Sequence, residues 1–149
     1  MTIDEFISSC EIRPADAIVM QKKLFGMVDH FVVYLGIDNG HHIFVANYTQ
    51  GVRIIENQQI LKFLDYLVPT NIDRFYGSDN DRLLALERAW SRVGEKAYDY
   101  LSNNCEHFKN WVHKGVSKSK QADNFTQGVS TILGVVAVVG LLEAIFKAK

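Results

Sequence analysis

The chain has 149 residues, 48% of them hydrophobic, and a formal net charge of −1. That length supports one hydrophobic core with an appendage and excludes two domains of ordinary size. The near-neutral balance, with no basic run beyond a scattered Lys-x-Lys, argues against nucleic acid as a partner. Two cysteines, Cys10 and Cys105, are too few for a secreted disulfide scaffold and suggest a reducing compartment, with Cys10 a structural thiol. The first residues, Met-Thr-Ile-Asp-Glu-Phe, lack the basic and apolar regions of a signal peptide, so cytosolic synthesis is expected.

After a short polar lead, Pro14-Ala15-Asp16 opens the apolar run Ala17 to Met20, which reads as a first strand. Lys22 to Val28 reads as a loop or a continued strand edge. The β-branched and aromatic run His30 to Gly36 predicts a second strand. Asp38-Asn39-Gly40 is a strong hairpin signal, because Asn-Gly supplies positive φ angles at low cost. His42 to Tyr48 then returns as a third, antiparallel strand. Val52 to Ile55 and Ile60 to Val68 continue the sheet or its crossover, and Pro69 is expected to end that run. Asp79 or Asn80 can cap a helix in which Leu83, Leu86, Trp90 and Val93 form a core-facing stripe, with Gly94 at its end. Trp90, Tyr98 and Tyr100 read as core and sheet packing rather than as a ligand box.

Asn103-Asn104-Cys105-Glu106-His107-Phe108 marks the start of an amphipathic helix, with Asn103 or Asn104 able to cap it. Cys105 falls in the first turn, where the helix dipole and backbone N–H groups favour an anion, and this predicts a lowered thiol pKa. Cys105, Phe108, Trp111 and Val112 share one face by their spacing, so the sulfur should lie along the stripe packed on the domain body. By itself, a cysteine in such a stripe is most often a small hydrophobe.

From Gly115 to Asn124 the chain turns polar and loses periodicity, as a connector does. Val129 to Phe146 is then apolar with Glu143 as its only charge. A bilayer span needs about 20 such residues, so a short or tilted anchor is expected, with Lys147 and Lys149 snorkelling to headgroups. The expected organisation is a domain over 1–114, a linker over 115–127 and a C-terminal hydrophobic anchor over 128–149.

Asn104 to Phe108 carries the signature of the lecithin:retinol acyltransferase-like group of the NlpC-type thiol hydrolases. Arg92 to Lys96 before it, and Gly115 to Ser119 with the apolar tail after it, resemble the animal phospholipase A and acyltransferase (HRAS-like suppressor) family. Ala15 stands where that family carries glycine. The resemblance implies an α+β, circularly permuted papain-like (NlpC-type) fold, with an antiparallel sheet packed on the cysteine helix and a C-terminal apolar helix.

The same resemblance implies that Cys105 is the nucleophile and that His30, in the pattern His-aromatic-x-x-Tyr-x-Gly, is its base. Relatives usually carry a second histidine on the returning strand. Here ungapped counting reaches His42, whereas the local pattern Val45-Ala46-Asn47 points to Asn47, and a chain reversing at Asn39-Gly40 favours Asn47. An asparagine suffices where the third group only orients the ring, as in papain-like enzymes. The implied chemistry is removal of an acyl chain from a glycerophospholipid through a cysteine thioester, with transfer to water, an amine or an alcohol. No metal or organic cofactor is implied, and the expected location is the cytoplasmic face of an intracellular membrane. Two alternatives remain: a non-catalytic membrane-remodelling or interaction module, like some viral proteins with this signature, and a peptide or isopeptide hydrolase.

Overall fold

A two-residue hairpin sets the pattern of the sheet. In the computed structural model, which describes residues 2–22, 30–96, 99, 104–116 and 118, strands β2 (His30–Asp38) and β3 (His41–Tyr48) are joined through Asn39 and Gly40. Both have positive φ, 48° and 78°, the geometry whose twist matches that of the flanking strands. Val33 pairs with Val45 and Tyr34 with Phe44, and the register shifts at Leu35, so that Ile37 faces His42. The sheet is completed by β1 (Ala17–Lys22), β4 (Gly51–Ile55) and β5 (Leu67–Asp73). The order is β4-β3-β2-β1-β5, and every pairing is antiparallel.

Strand alternation divides the core between two faces. Ile18, Met20, Val32, Tyr34, Phe44 and Ala46 pack on one side with Ile3, Phe6 and Ile7 of helix α1 (Ile3–Ser9) and Ile60 of helix α2 (Asn57–Tyr66). Ala17, Val33, Val45 and Val52 pack on the other with Ala85 and Ala89 of α3 (Asp79–Ser91) and Phe108 and Val112 of α4 (Cys105–Lys114). The protein is thus α+β, and all of its described residues fall in one compact unit.

Three expectations need correction. The polar lead before Pro14 is a helix: Thr2 and Glu5 form a capping box, and Ile3, Phe6 and Ile7 are buried at helical spacing. The run Ile60 to Val68, read as sheet or crossover, is both: α2 occupies most of it, and Leu67 and Val68 open β5. Pro69 does not end the run but lies inside β5. An edge strand tolerates the missing donor, and the register with β1 shifts beside it, between Val19 and Met20. Finally, α3 is capped by Ser78, one residue earlier than expected, and faces the core with Ala85 and Ala89. Leu83 and Trp90 are 59% and 46% exposed, because the small residues of α3 face the core where it packs on α4 and these large ones are left outside. Residues 23–29, Tyr98, Tyr100, Asn103 and the apolar segment 128–149 lie outside the described residues, as does nearly all of the linker.

The turn before β1 is held by a buried charge. Asp16 accepts from the Arg13 and Phe75 backbone N–H groups and from Arg74 Nη1, each at 3.0 Å. Arg82 Nη1 stands 3.5 Å from the same carboxylate and also donates to the Pro14 carbonyl. A buried carboxylate is tolerable only when it is paired and hydrogen-bonded in this way. Ala15, next to it, is buried with φ 73°, and its N–H donates to the Tyr34 carbonyl at 2.7 Å. A left-handed conformation costs a non-glycine residue about 1–2 kcal/mol, and the paired carboxylate holds the turn in it.

Ala15→Gly should therefore change stability by less than about 1 kcal/mol, since relief of backbone strain offsets the lost methyl burial. Ala15→Val should cost about 2 kcal/mol or more, because a β-branched residue fits neither this φ nor the packed site. Urea unfolding of the two variants checks this, and a Val variant as stable as the parent would mean that the turn is not constrained.

Candidate active site

Helix α4 starts where an asparagine can satisfy its first amides. Asn104 Oδ1 accepts from the N–H of Glu106 at 2.9 Å and of His107 at 3.0 Å. His107 Nδ1 accepts in return from the Asn104 N–H at 3.3 Å, which closes a capping box. The C-terminal end stops at Gly115, whose φ of 67° is the left-handed cap that glycine adopts freely. Arg88 of α3 donates from Nε and Nη2 to the Val112 carbonyl, at 2.9 and 2.6 Å, and so covers an acceptor that the helix end leaves without a partner of its own. His113 Nε2 donates to the Ala15 carbonyl at 2.8 Å and ties the last turn to the strained turn before β1.

Cys105 is the first residue of α4 and is 6% exposed, packed with Val19 and Phe31. The backbone N–H groups of Phe31, Glu106 and Cys105 itself are hydrogen-bonded to the sulfur and favour its thiolate. Burial outweighs them and pushes the thiol up from its ordinary value, with the Glu106 carboxylate adding in the same direction. This corrects the expectation of a lowered pKa: a helix N-terminus favours an anion, but here it sits where water does not reach. The same N–H groups favour negative charge at this position.

The three proposed partners of Cys105 are placed differently. Asn47 is fully buried, and its Nδ2 donates to the Asn104 carbonyl at 3.5 Å, directly before the cysteine. The register that pairs Val33 with Val45 sets Asn47 beside Phe31 on the face covered by α4. His42 lies five residues from Asn47 on the same strand, hence on the opposite face. There it joins Tyr34 Oη through Nδ1 at 2.8 Å and Asp4 Oδ1 through Nε2 at 2.9 Å, fastening α1 to the sheet. His30 opens β2 opposite Met20, half-buried, one residue before the Phe31 whose N–H meets the sulfur. By alternation it starts on the face of Met20, Val32 and Tyr34. The structure thus brings Phe31, Asn104 and Asn47 to Cys105, joins His30 to the site through its chain neighbour, and places His42 elsewhere.

A fourth side chain here drew no attention in the sequence. Lys109, one turn beyond Cys105, is buried, pairs with Asp73 Oδ2 at 2.6 Å and lies 4.9 Å from the Phe31 ring centroid. Its i, i+4 spacing from the cysteine was the available signal. Both cysteines are free thiols. Among the described residues, no group of His, Cys, Asp and Glu is arranged to hold a metal ion, and no helix is long and apolar enough to cross a membrane.

A capped helix with a first-turn cysteine, packed on an antiparallel sheet, is the arrangement that the motifs implied. The family model described as lecithin retinol acyltransferase matches residues 10–118, from before β1 to just past α4. The chain belongs to the lecithin retinol acyltransferase family. Members of this family are cysteine acyltransferases and phospholipases that act on lipids. A comparison with curated proteins gives no match.

The raised thiol predicts the pH at which Cys105 reacts. Iodoacetamide labelling, followed residue by residue by mass spectrometry, should leave Cys105 slow through the ordinary thiol range near about 8.5 and faster only above it. A labelling rate that already levels off below pH 8 would mean that the three N–H groups outweigh burial.

Proposed function

We propose that this family member is a membrane-associated thiol acyl hydrolase and acyltransferase acting on glycerophospholipids, closest to the phospholipase A and acyltransferase (HRAS-like suppressor) branch. The observation that carries the reading is the N–H cradle around Cys105 at the capped start of α4. In the proposed reaction His30 takes the thiol proton, and the thiolate attacks the ester carbonyl. The oxyanion is held by backbone N–H groups at the helix start. The carbonyl–oxygen bond to the glycerol then breaks, and the leaving oxygen takes the proton back from His30, which yields a lysophospholipid and a Cys105 thioester. Water, an amine or an alcohol resolves the thioester.

For this role the His30 ring has to turn round the end of β2 toward α4. Asn47, buried beside Asn104, is the group proposed to orient the ring. The elevated thiol suits a site in which bound substrate and a nearby imidazolium, rather than the empty pocket, generate the thiolate. Residues 128–149 are proposed as a single C-terminal anchor that places the enzyme on the cytoplasmic face of an intracellular membrane, by their apolar composition.

The burial of Cys105 and the asparagine at the usual position of a second histidine favour one rival, a non-catalytic module for membrane remodelling or interaction. Incubating the detergent-solubilised chain with phosphatidylcholine separates the two. The enzyme releases fatty acid and shows an acyl adduct on Cys105, which Cys105→Ser abolishes; an adduct on Cys10, or none, would remove Cys105 from the role. Asn47→Ala should lower turnover by roughly 10²-fold, on the scale of general acid–base assistance. His42→Ala should act mainly on stability, costing about 1–3 kcal/mol through the buried Tyr34 hydroxyl it leaves behind.

Truncation tests the anchor separately. A chain ending at residue 127 should still turn over micellar lipid and no longer sediment with vesicles. Aggregation or an earlier cooperative unfolding of that chain would instead make the tail part of the core.

A further inference from the structure

Beside α4 a cleft of about 310 Å³ opens against Lys109 and, one turn further along, His113 and Lys114. Asp73, Tyr76, Lys109, His113 and Lys114 line it. Lys109 lies about 6 Å along the helix axis from Cys105. It also covers the ring of Phe31, the residue whose N–H bonds the sulfur. The cleft therefore begins one helical turn from the thiol.

Its charges are unequally committed. Arg74, on the wall, is spent on Asp16 and on the carbonyls of Cys10 and Glu11. Lys109 and Asp73 neutralise each other at 2.6 Å. Lys114 is exposed, and Arg74 shares the single charge of Asp16 with Arg82, so the cleft is left with a net positive charge. His113 donates its Nε2 proton to the Ala15 carbonyl, so its Nδ1 is the ring atom left for a ligand. Burial holds His113 below its usual value, against the Ala15 hydrogen bond, with Asp73, Lys109 and Asp16 as charged neighbours. Tyr76, almost wholly exposed at the rim, offers a hydroxyl.

We propose that this cleft holds the phosphodiester of the lipid whose acyl ester is presented to Cys105, with Lys114 and Lys109 as its cationic donors and the Tyr76 hydroxyl at its rim. This rests on the acyl-transfer reading and adds the headgroup subsite. The positive balance suits a phosphate anion, and the acyl-transfer reading selects the diester over free phosphate. Lys109, one helical turn from Cys105, lies within reach of a phosphorus a few bonds from the ester carbonyl, and the long Lys114 side chain enters the same cleft from its far end. Asp73 then acts as the internal competitor that holds Lys109 until the diester arrives.

The test needs no turnover. Glycerophosphocholine, which carries the diester without acyl chains, and inorganic phosphate are each titrated into the full chain while the His113 ring signals are followed by NMR. Glycerophosphocholine should shift them saturably. Lys114→Met should weaken binding about tenfold, the loss of one charge-assisted hydrogen bond. Asp73→Asn should tighten it by freeing Lys109, a gain that a merely structural ion pair would not produce. Absence of a saturable shift, tighter binding of inorganic phosphate than of the diester, or no gain in Asp73→Asn overturns the assignment. In kinetics, Lys114→Met should raise the ratio of KM for phosphatidylcholine to KM for diacylglycerol by the same factor. A chain that binds the diester but hydrolyses neither lipid would sink the acyl-transfer reading and keep the site.

Discussion

A carboxylate buried from water has to be met by fixed donors, and Asp16 is the point at which this requirement organises the protein. Its partners come from three places in the chain: the Arg13 amide, Arg74 and Phe75 after β5, and Arg82 on α3. Meeting them fixes the turn at Pro14–Asp16 in a conformation that Ala15 would not choose by itself. The carbonyl of that strained residue then receives His113, and so the last turn of α4 is tied to the start of β1. Breaking a buried pair by removing one partner costs several kcal/mol, far more than the local backbone strain. The position of the cysteine helix thus depends on a charge that takes no part in its chemistry.

The two ends of α4 are secured by different means. At the C-terminal end, Arg88 and His113 tie the last turn to α3 and to the β1 turn. At the other, Asn104 turns two amides back on its own side chain, and Asn47 reaches its carbonyl from the sheet. Between these anchors Phe108 and Val112 bury the apolar stripe. The result presents three N–H groups to a sulfur that water scarcely touches. Desolvation raises the thiol, against the backbone N–H groups that favour its thiolate.

The opposite face of the sheet shows what the same residue types do without such a setting. His42, Tyr34 and Asp4 form a linked series of hydrogen bonds that resembles a catalytic relay on paper. No nucleophile lies at its end: Tyr34 is buried, its hydroxyl pushed up by desolvation and by the charge of Asp4. Its physical effect is to fasten a short capped helix over an apolar surface.

Much of this was legible in the sequence. Asn39-Gly40 specified its turn because few other pairs accept positive φ twice, and the β-branched runs around it could only be strands. Asn104 and Gly115 marked both ends of α4 by local chemistry, and the motif around Cys105 carried the family. Thr2, Ile3, Glu5 and Phe6 held the signature of α1 as well, where the polar residues between them masked it. Other features depended on tertiary structure. Period 2 places His42 and Asn47 on opposite faces, but only the packing of α4 against Val33 and Val45 decides which face meets Cys105. The spacing of Leu83, Leu86 and Trp90 suggests a buried stripe, yet the packing of α3 on α4 buries Ala85 and Ala89, keeps Leu86 against the core and leaves Leu83 and Trp90 outside. A helix N-terminus lowers a thiol's pKa wherever solvent remains, and how much water reaches Cys105 is decided by Val19 and Phe31, residues that no local pattern connects to it.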